Sequence, residues 1–141
     1  MMSKKILNVI SLCGQALMLS FGVVTFAVCY SAFNSLNGAE ADSAGEAIGI
    51  GFGAIGLVLI CIFAVFYSVL ALVPFLLKIF RAAGRGRRFD IAAIVFDVLL
   101  VFVNILVIIA NEEAGGIAAL SALLAVNLSC LVLNCITACK E

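Results

Sequence analysis

Polar and apolar positions along this chain come in long blocks rather than in alternation. Ile6 to about Phe33 carries no charged residue, and neither does about Ala47 to Leu77. Ile91 to Ala110 carries a single charge, Asp97, and about Ala114 to Ala138 carries none. A helix needs about 20 mainly apolar residues to cross about 30 Å of hydrocarbon, and each block meets that length. Strands of a membrane barrel would instead alternate over about 10 residues. The pattern predicts an all-α integral membrane protein with four transmembrane helices, at about 6–33, 47–78, 91–110 and 114–138.

The polar intervals are short. Asn34 to Glu46 is rich in Asn, Ser, Gly and Asp, Arg81 to Asp90 reads RAAGRGRRFD, and Asn111 to Gly116 reads NEEAGG. Short connections make successive helices antiparallel neighbours. The expected architecture is therefore an antiparallel up-down bundle forming one domain, 1–141, with no soluble domain. Ala47 to Phe80 spans about 34 residues, or about 50 Å of helix at 1.5 Å per residue. Two arrangements accommodate the excess. Pro74 kinks the helix and lays Phe75 to Phe80 along the interface with Lys78 snorkelling, or the helix simply tilts. A cleaved leader is disfavoured, because signal h-regions run 7–15 residues and the first block is about twice as long.

Composition agrees with this picture. Hydrophobic residues make up 66% of the chain and charged residues 11%. Soluble domains carry about 25% charged residues, so a soluble globule is excluded, as is disorder. The net charge is zero, from 8 basic and 8 acidic residues, but the charges are segregated. Lys4, Lys5, Lys78, Arg81, Arg85, Arg87, Arg88 and Lys140 all fall on one side of the expected bundle; Glu40, Asp42, Glu46, Glu112 and Glu113 fall on the other. Basic residues concentrate in short cytoplasmic loops. Both termini are therefore expected in the cytoplasm, with a bacterial cytoplasmic membrane as the expected location. Arg81, Arg85, Arg87 and Arg88 are candidates to contact anionic inner-leaflet lipid, at about 1 kcal/mol each, or an acidic partner. Nothing in the charge favours nucleic acid.

Polar side chains within the spans are the first candidates for chemistry. A carboxylate at the centre of a membrane helix costs about 2.5–3.5 kcal/mol on insertion scales. Asp97 lies about 9 Å into its span at the helical rise, so it should face the interior, paired or protonated. Asp90, Asp97, Asn104 and Asn111 recur every seven residues, as do Asn127 and Asn134, and Asn8 and Gln15. Seven residues is nearly two turns, so each set forms a stripe on one helix face. Turned inward, the stripes predict a polar seam with Asp97, Asn104, Gln15, Asn127 and Asn134 as its principal members. Such groups act as interhelical glue at about 0.6–2 kcal/mol each, or as a relay for protons, cations or small solutes. The glue reading is favoured.

Small residues form a second pattern. Gly45, Gly49 and Gly53 recur every four residues, as do Ser121, Ala125 and Ser129. This extends the spacing that lets membrane helices approach closely, either within one bundle or between subunits. Packing within the bundle is favoured for the glycine row. The six cysteines include no CxxC pair and the chain has no histidine, so no metal site is expected and no cofactor. Without histidine the usual general base is missing and no catalytic set stands out, so an enzyme is not expected. The sequence points first to a non-enzymatic tetraspan protein, packing as an accessory subunit into a membrane assembly with other subunits or with copies of itself. The alternative is a small oligomeric transporter or channel built on Asp97.

Overall fold

The computed structural model describes residues 3–83, 88–110 and 114–139. They form four helices: α1 (Lys4–Asn37), α2 (Ala44–Ala82), α3 (Arg88–Ala110) and α4 (Ala114–Cys139). Among the described residues all four are long and apolar enough to cross a membrane. The chain is an all-helical membrane protein. Three of the helices begin before the apolar block that predicts them, and α1, α2 and α4 also run past its end. Hydrocarbon length sets the apolar block, whereas backbone hydrogen bonding sets where a helix stops.

Local chemistry explains the starts. The Ser3 hydroxyl accepts a hydrogen bond from the Lys5 amide at 3.3 Å, which caps α1. Ser43 accepts from the Glu46 amide at 3.2 Å, while a Glu46 carboxylate oxygen accepts from the Asp42 amide at 3.1 Å. That reciprocal pair closely resembles a capping box and fixes the entry to α2. The two first helices are long, with 34 residues in α1 and 39 in α2. At 1.5 Å per residue each exceeds a hydrocarbon core of about 30 Å.

The region around Pro74 differs from the first of the two arrangements above. α2 continues as helix through Pro74 to Ala82. Lys78 does not snorkel; it is buried. The reason is an acidic partner on α3, described below, which outweighs the attraction of the interface.

The chain divides into two compact units, Met1–Leu19 with Val69–Glu141, and Ser20–Ser68. The first is a four-helix bundle built from the start of α1, the end of α2, and all of α3 and α4. Here α3 and α4 pack against each other, and Met18, Ala71, Ala93 and Leu100 are fully buried. The second unit is a helical hairpin made from the end of α1 and the start of α2. Its packing centres on Tyr67, which meets the Phe21 ring edge-on at 6.2 Å. Gly22 makes this approach possible: a methyl group there would collide with the Ser68 hydroxyl and lie 3.3 Å from the Tyr67 ring.

Candidate functional site: a buried polar cluster

Apart from Asn8, which is half-buried, and Asn111, which lies outside the described residues, the polar stripes turn inward. In the first unit Gln15, Asp97, Asn127 and Asn134 have 0% exposure and Asn104 1%. Polar groups withdrawn from both water and lipid must find partners in the protein, and Asp97 does so on two helices. The Asn134 side-chain amide of α4 donates to Asp97 Oδ2. The Gln15 amide of α1 donates to Asp97 Oδ1 at 3.4 Å, a long bond. Behind Asn134 a further layer closes the set. The Ser11 hydroxyl donates to Asn134 Oδ1 at 2.8 Å, and the Thr137 hydroxyl donates to the Asn134 backbone carbonyl at 2.9 Å. Asp97 is thus clasped by α1 and α4, with neutral amides as its direct donors.

A second acidic centre lies seven residues earlier. Asp90 is fully buried. Lys78 Nζ sits 3.0 Å from its Oδ1 and Arg81 Nε 2.9 Å from its Oδ2. Two cations from the end of α2 therefore bracket one carboxylate at the start of α3. With Asp97 included, the formal charges of these four side chains cancel. That balance matters because an unpaired charge in a low-dielectric interior is costly.

The candidate residues do not all join the cluster. Gln15, Asp97 and Asn134 are bonded together. Asn104 and Asn127 are buried on the same stripes, but Asn104 Nδ2 and both polar atoms of the Asn127 side chain have no hydrogen-bond partner among the described residues. Ser11, Thr137, Lys78 and Asp90 belong to the cluster although the sequence reading did not single them out as sites. For Asp90 the signal was available in the seven-residue stripe. For Ser11 it lay in position, four residues before Gln15 and so on the same helix face. For Lys78 hydropathy misled, since a lysine near a span end is normally expected at the interface.

The small-residue rows lie elsewhere. Ser121, Ala125 and Ser129 are exposed on α4. Ala125 and Ser129 line a groove of about 400 Å³ against α1, opposite Cys13, Gly14 and Leu17. Gly14 lets α1 approach α4 there, since a methyl at Gly14 would collide with the Cys130 sulfur. Gly45, Gly49 and Gly53 are exposed on α2. A methyl at Gly45 or Gly49 would meet nothing within 4 Å, and one at Gly53 would touch Leu36 at 3.6 Å. Packing within the chain therefore does not use the glycine row as a close contact. Of the four arginines, Arg81 is turned to Asp90, Arg88 is exposed, and Arg85 and Arg87 lie outside the described residues.

Comparison with family models, curated proteins and solved structures gave no match to this chain. Its functional reading rests on the site itself.

Proposed function

We propose that the chain is a small non-enzymatic membrane protein that packs through its outer helix faces into a larger membrane assembly, as an accessory subunit or as a homo-oligomer. The observation that carries this is the contrast in packing among the small residues. Gly14 and Gly22 are used for close contact inside the chain, whereas Gly45, Gly49, Ser121, Ala125 and Ser129 are exposed on helix faces. Small residues on a lipid-facing surface give up side-chain contact within the chain and gain it when another helix docks. The polar cluster supports the same reading, since its strongest members are bonded to the chain's own helices and hold the bundle together from inside.

The helices run alternately up and down in this proposal, with both termini in the cytoplasm. The Gln15–Asp97, Asn134–Asp97 and Lys78–Asp90 contacts support the alternation, because they bring the starts of α1 and α3 beside the ends of α2 and α4. The segregation of basic residues supports the orientation. On that orientation the exposed Arg88 faces anionic lipid of a bacterial cytoplasmic membrane.

Cross-linking tests the assembly. Ser121→Cys in native membranes should give efficient disulfide-linked species, either symmetric dimers or a stoichiometric adduct with another subunit. A chain that stays monomeric under oxidation at every exposed small-residue position would remove the proposal. A second reading, a small transporter or channel for protons, cations or small solutes, is favoured by one observation. Asp97 is an enclosed carboxylate in line with Gln15, Asn104 and Asn127. Its test is flux in proteoliposomes: Asp97→Asn should abolish a pH-dependent flux in a folded protein, and absence of flux in the wild type would discard it.

A further inference from the structure

The hairpin of the second unit carries two cysteines, Cys29 on α1 and Cys61 on α2. Two close contacts fix how its helices face each other. Gly22 meets Ser68 at one end, and Gly53 lies against Leu36 toward the other. Cys29 is seven residues from both Gly22 and Leu36, while Cys61 is seven residues from Ser68 and eight from Gly53. Nearly equal steps along the two helices therefore place both cysteines at one level, midway between the contacts. Seven residues is nearly two turns, so each cysteine also returns to the contacting face. Burial agrees. Cys29 is half-buried between the exposed Val28 and Tyr30, and Cys61 is half-buried between the exposed Ile60 and Ile62. The two are close enough for the charge of one to act on the other, and both are free thiols. The other four cysteines belong to the first unit.

We propose that Cys29 and Cys61 are a disulfide-forming pair that fastens α1 to α2 within the Ser20–Ser68 unit. A disulfide needs Cα atoms about 4.4–6.8 Å apart, so it forms only where backbones approach closely. Small residues permit that approach here: Gly22 on one side of the pair, and Ala64 one turn from Cys61 on its buried face. The oxidant is an organic disulfide, and the step is thiol–disulfide exchange. One cysteine, as thiolate, attacks a sulfur of the oxidant. The oxidant's S–S bond breaks and half of it leaves as a thiol. The second cysteine then attacks the mixed disulfide, the Cys29–Cys61 bond forms, and the other half leaves as a thiol. The two cysteines lose two electrons and two protons, and the two released thiols carry them away. The bond closes a loop of about 30 residues and restricts the unfolded hairpin accordingly. It gives a covalent tie to the unit whose described contacts are rings and small residues.

The pair goes beyond the assembly reading and is tested separately. The full chain in lipid nanodiscs is treated with dithiodipyridine, a membrane-permeant organic disulfide, and remaining thiols are blocked with N-ethylmaleimide. Non-reducing chymotryptic mapping by mass spectrometry then locates every link and every adduct. The expected result is a Cys29–Cys61 link within one chain, several-fold more abundant than any other pairing, with no thiopyridine group retained on either cysteine. In Cys29→Ser the adduct should persist on Cys61, and in Cys61→Ser it should persist on Cys29, because the second exchange has no thiol to complete it. Wild-type protein that keeps an adduct on both cysteines would overturn the proposal, since both would be reached without closing. So would wild-type protein in which neither reacts, or in which Cys29 or Cys61 links mainly to another cysteine or to another copy of the chain. Should the serine variants not fold, the wild-type map decides alone. A link within one chain forms whether or not the chain associates, so a failure of the assembly reading would be seen separately.

Discussion

The two units of this chain are held together by different kinds of side chain. In Met1–Leu19 with Val69–Glu141 the fully enclosed groups include Ser11, Gln15, Lys78, Asp90, Asp97, Asn104, Asn127 and Asn134. In Ser20–Ser68 the buried residues among those described are Gly22, Ala64 and Tyr67, and the contacts are rings against rings and against small residues. The two solutions answer one problem. Lipid tails are as apolar as leucine, so burying leucine gives helices little reason to associate within a bilayer. One unit supplies the missing cohesion through charge pairs and amide bonds. The other supplies it through close backbone approach, and leaves Gly45, Gly49, Gly51 and Gly56 with nothing near them.

Substitutions break this contrast at different points. The largest effect belongs to Asp90→Ala, which strands the buried Lys78 beside an empty position. Removing one partner of a buried ion pair costs about 3–5 kcal/mol, so thermal unfolding in detergent should shift steeply downward or the chain should fail to accumulate. In the aromatic unit the matching break is Gly22→Val. Overpacking against Ser68 and Tyr67 should cost about 1–3 kcal/mol, read by the same melt. Ser11→Ala removes one bond from Asn134 and should cost about 0.6–2 kcal/mol. Gly49→Val should change the melting of the isolated chain least, within about 0.5 kcal/mol, because nothing in the chain lies against it. A large loss from Gly49→Val in monomeric protein would mean that the glycine row packs internally and that the contrast is false.

Much of this was legible in the residues. Continuous apolar blocks located all four helices, because the bilayer fixes their length. Seven-residue spacing located the buried face, because a polar group in a membrane helix has nowhere to turn but inward. Three things were not legible. Lys78 reads as an interfacial lysine until Asp90 is placed opposite it, and pairing between helices is invisible to hydropathy. Thr137 is a weakly polar residue that carries no signal of its own, and Ser11 shows only its place one turn before Gln15; the Asn134 carbonyls give both their part. The small-residue rows were visible as spacing, but spacing alone does not say whether a partner helix belongs to the same chain. Gly22 and Gly49 look alike in sequence and differ entirely in what surrounds them.

In the proposed assembly the polar cluster holds the chain together while the outward small residues hold it to something else. Native mass spectrometry of protein extracted in mild detergent tests this most directly, comparing wild type, Gly49→Val and Asp97→Asn. The predicted result is a wild-type mass above that of a single chain, in a fixed ratio of subunits. Gly49→Val should reduce it to the single-chain mass, and Asp97→Asn should leave the ratio intact. A wild-type protein found at single-chain mass, or an assembly lost with Asp97→Asn and retained with Gly49→Val, would contradict it.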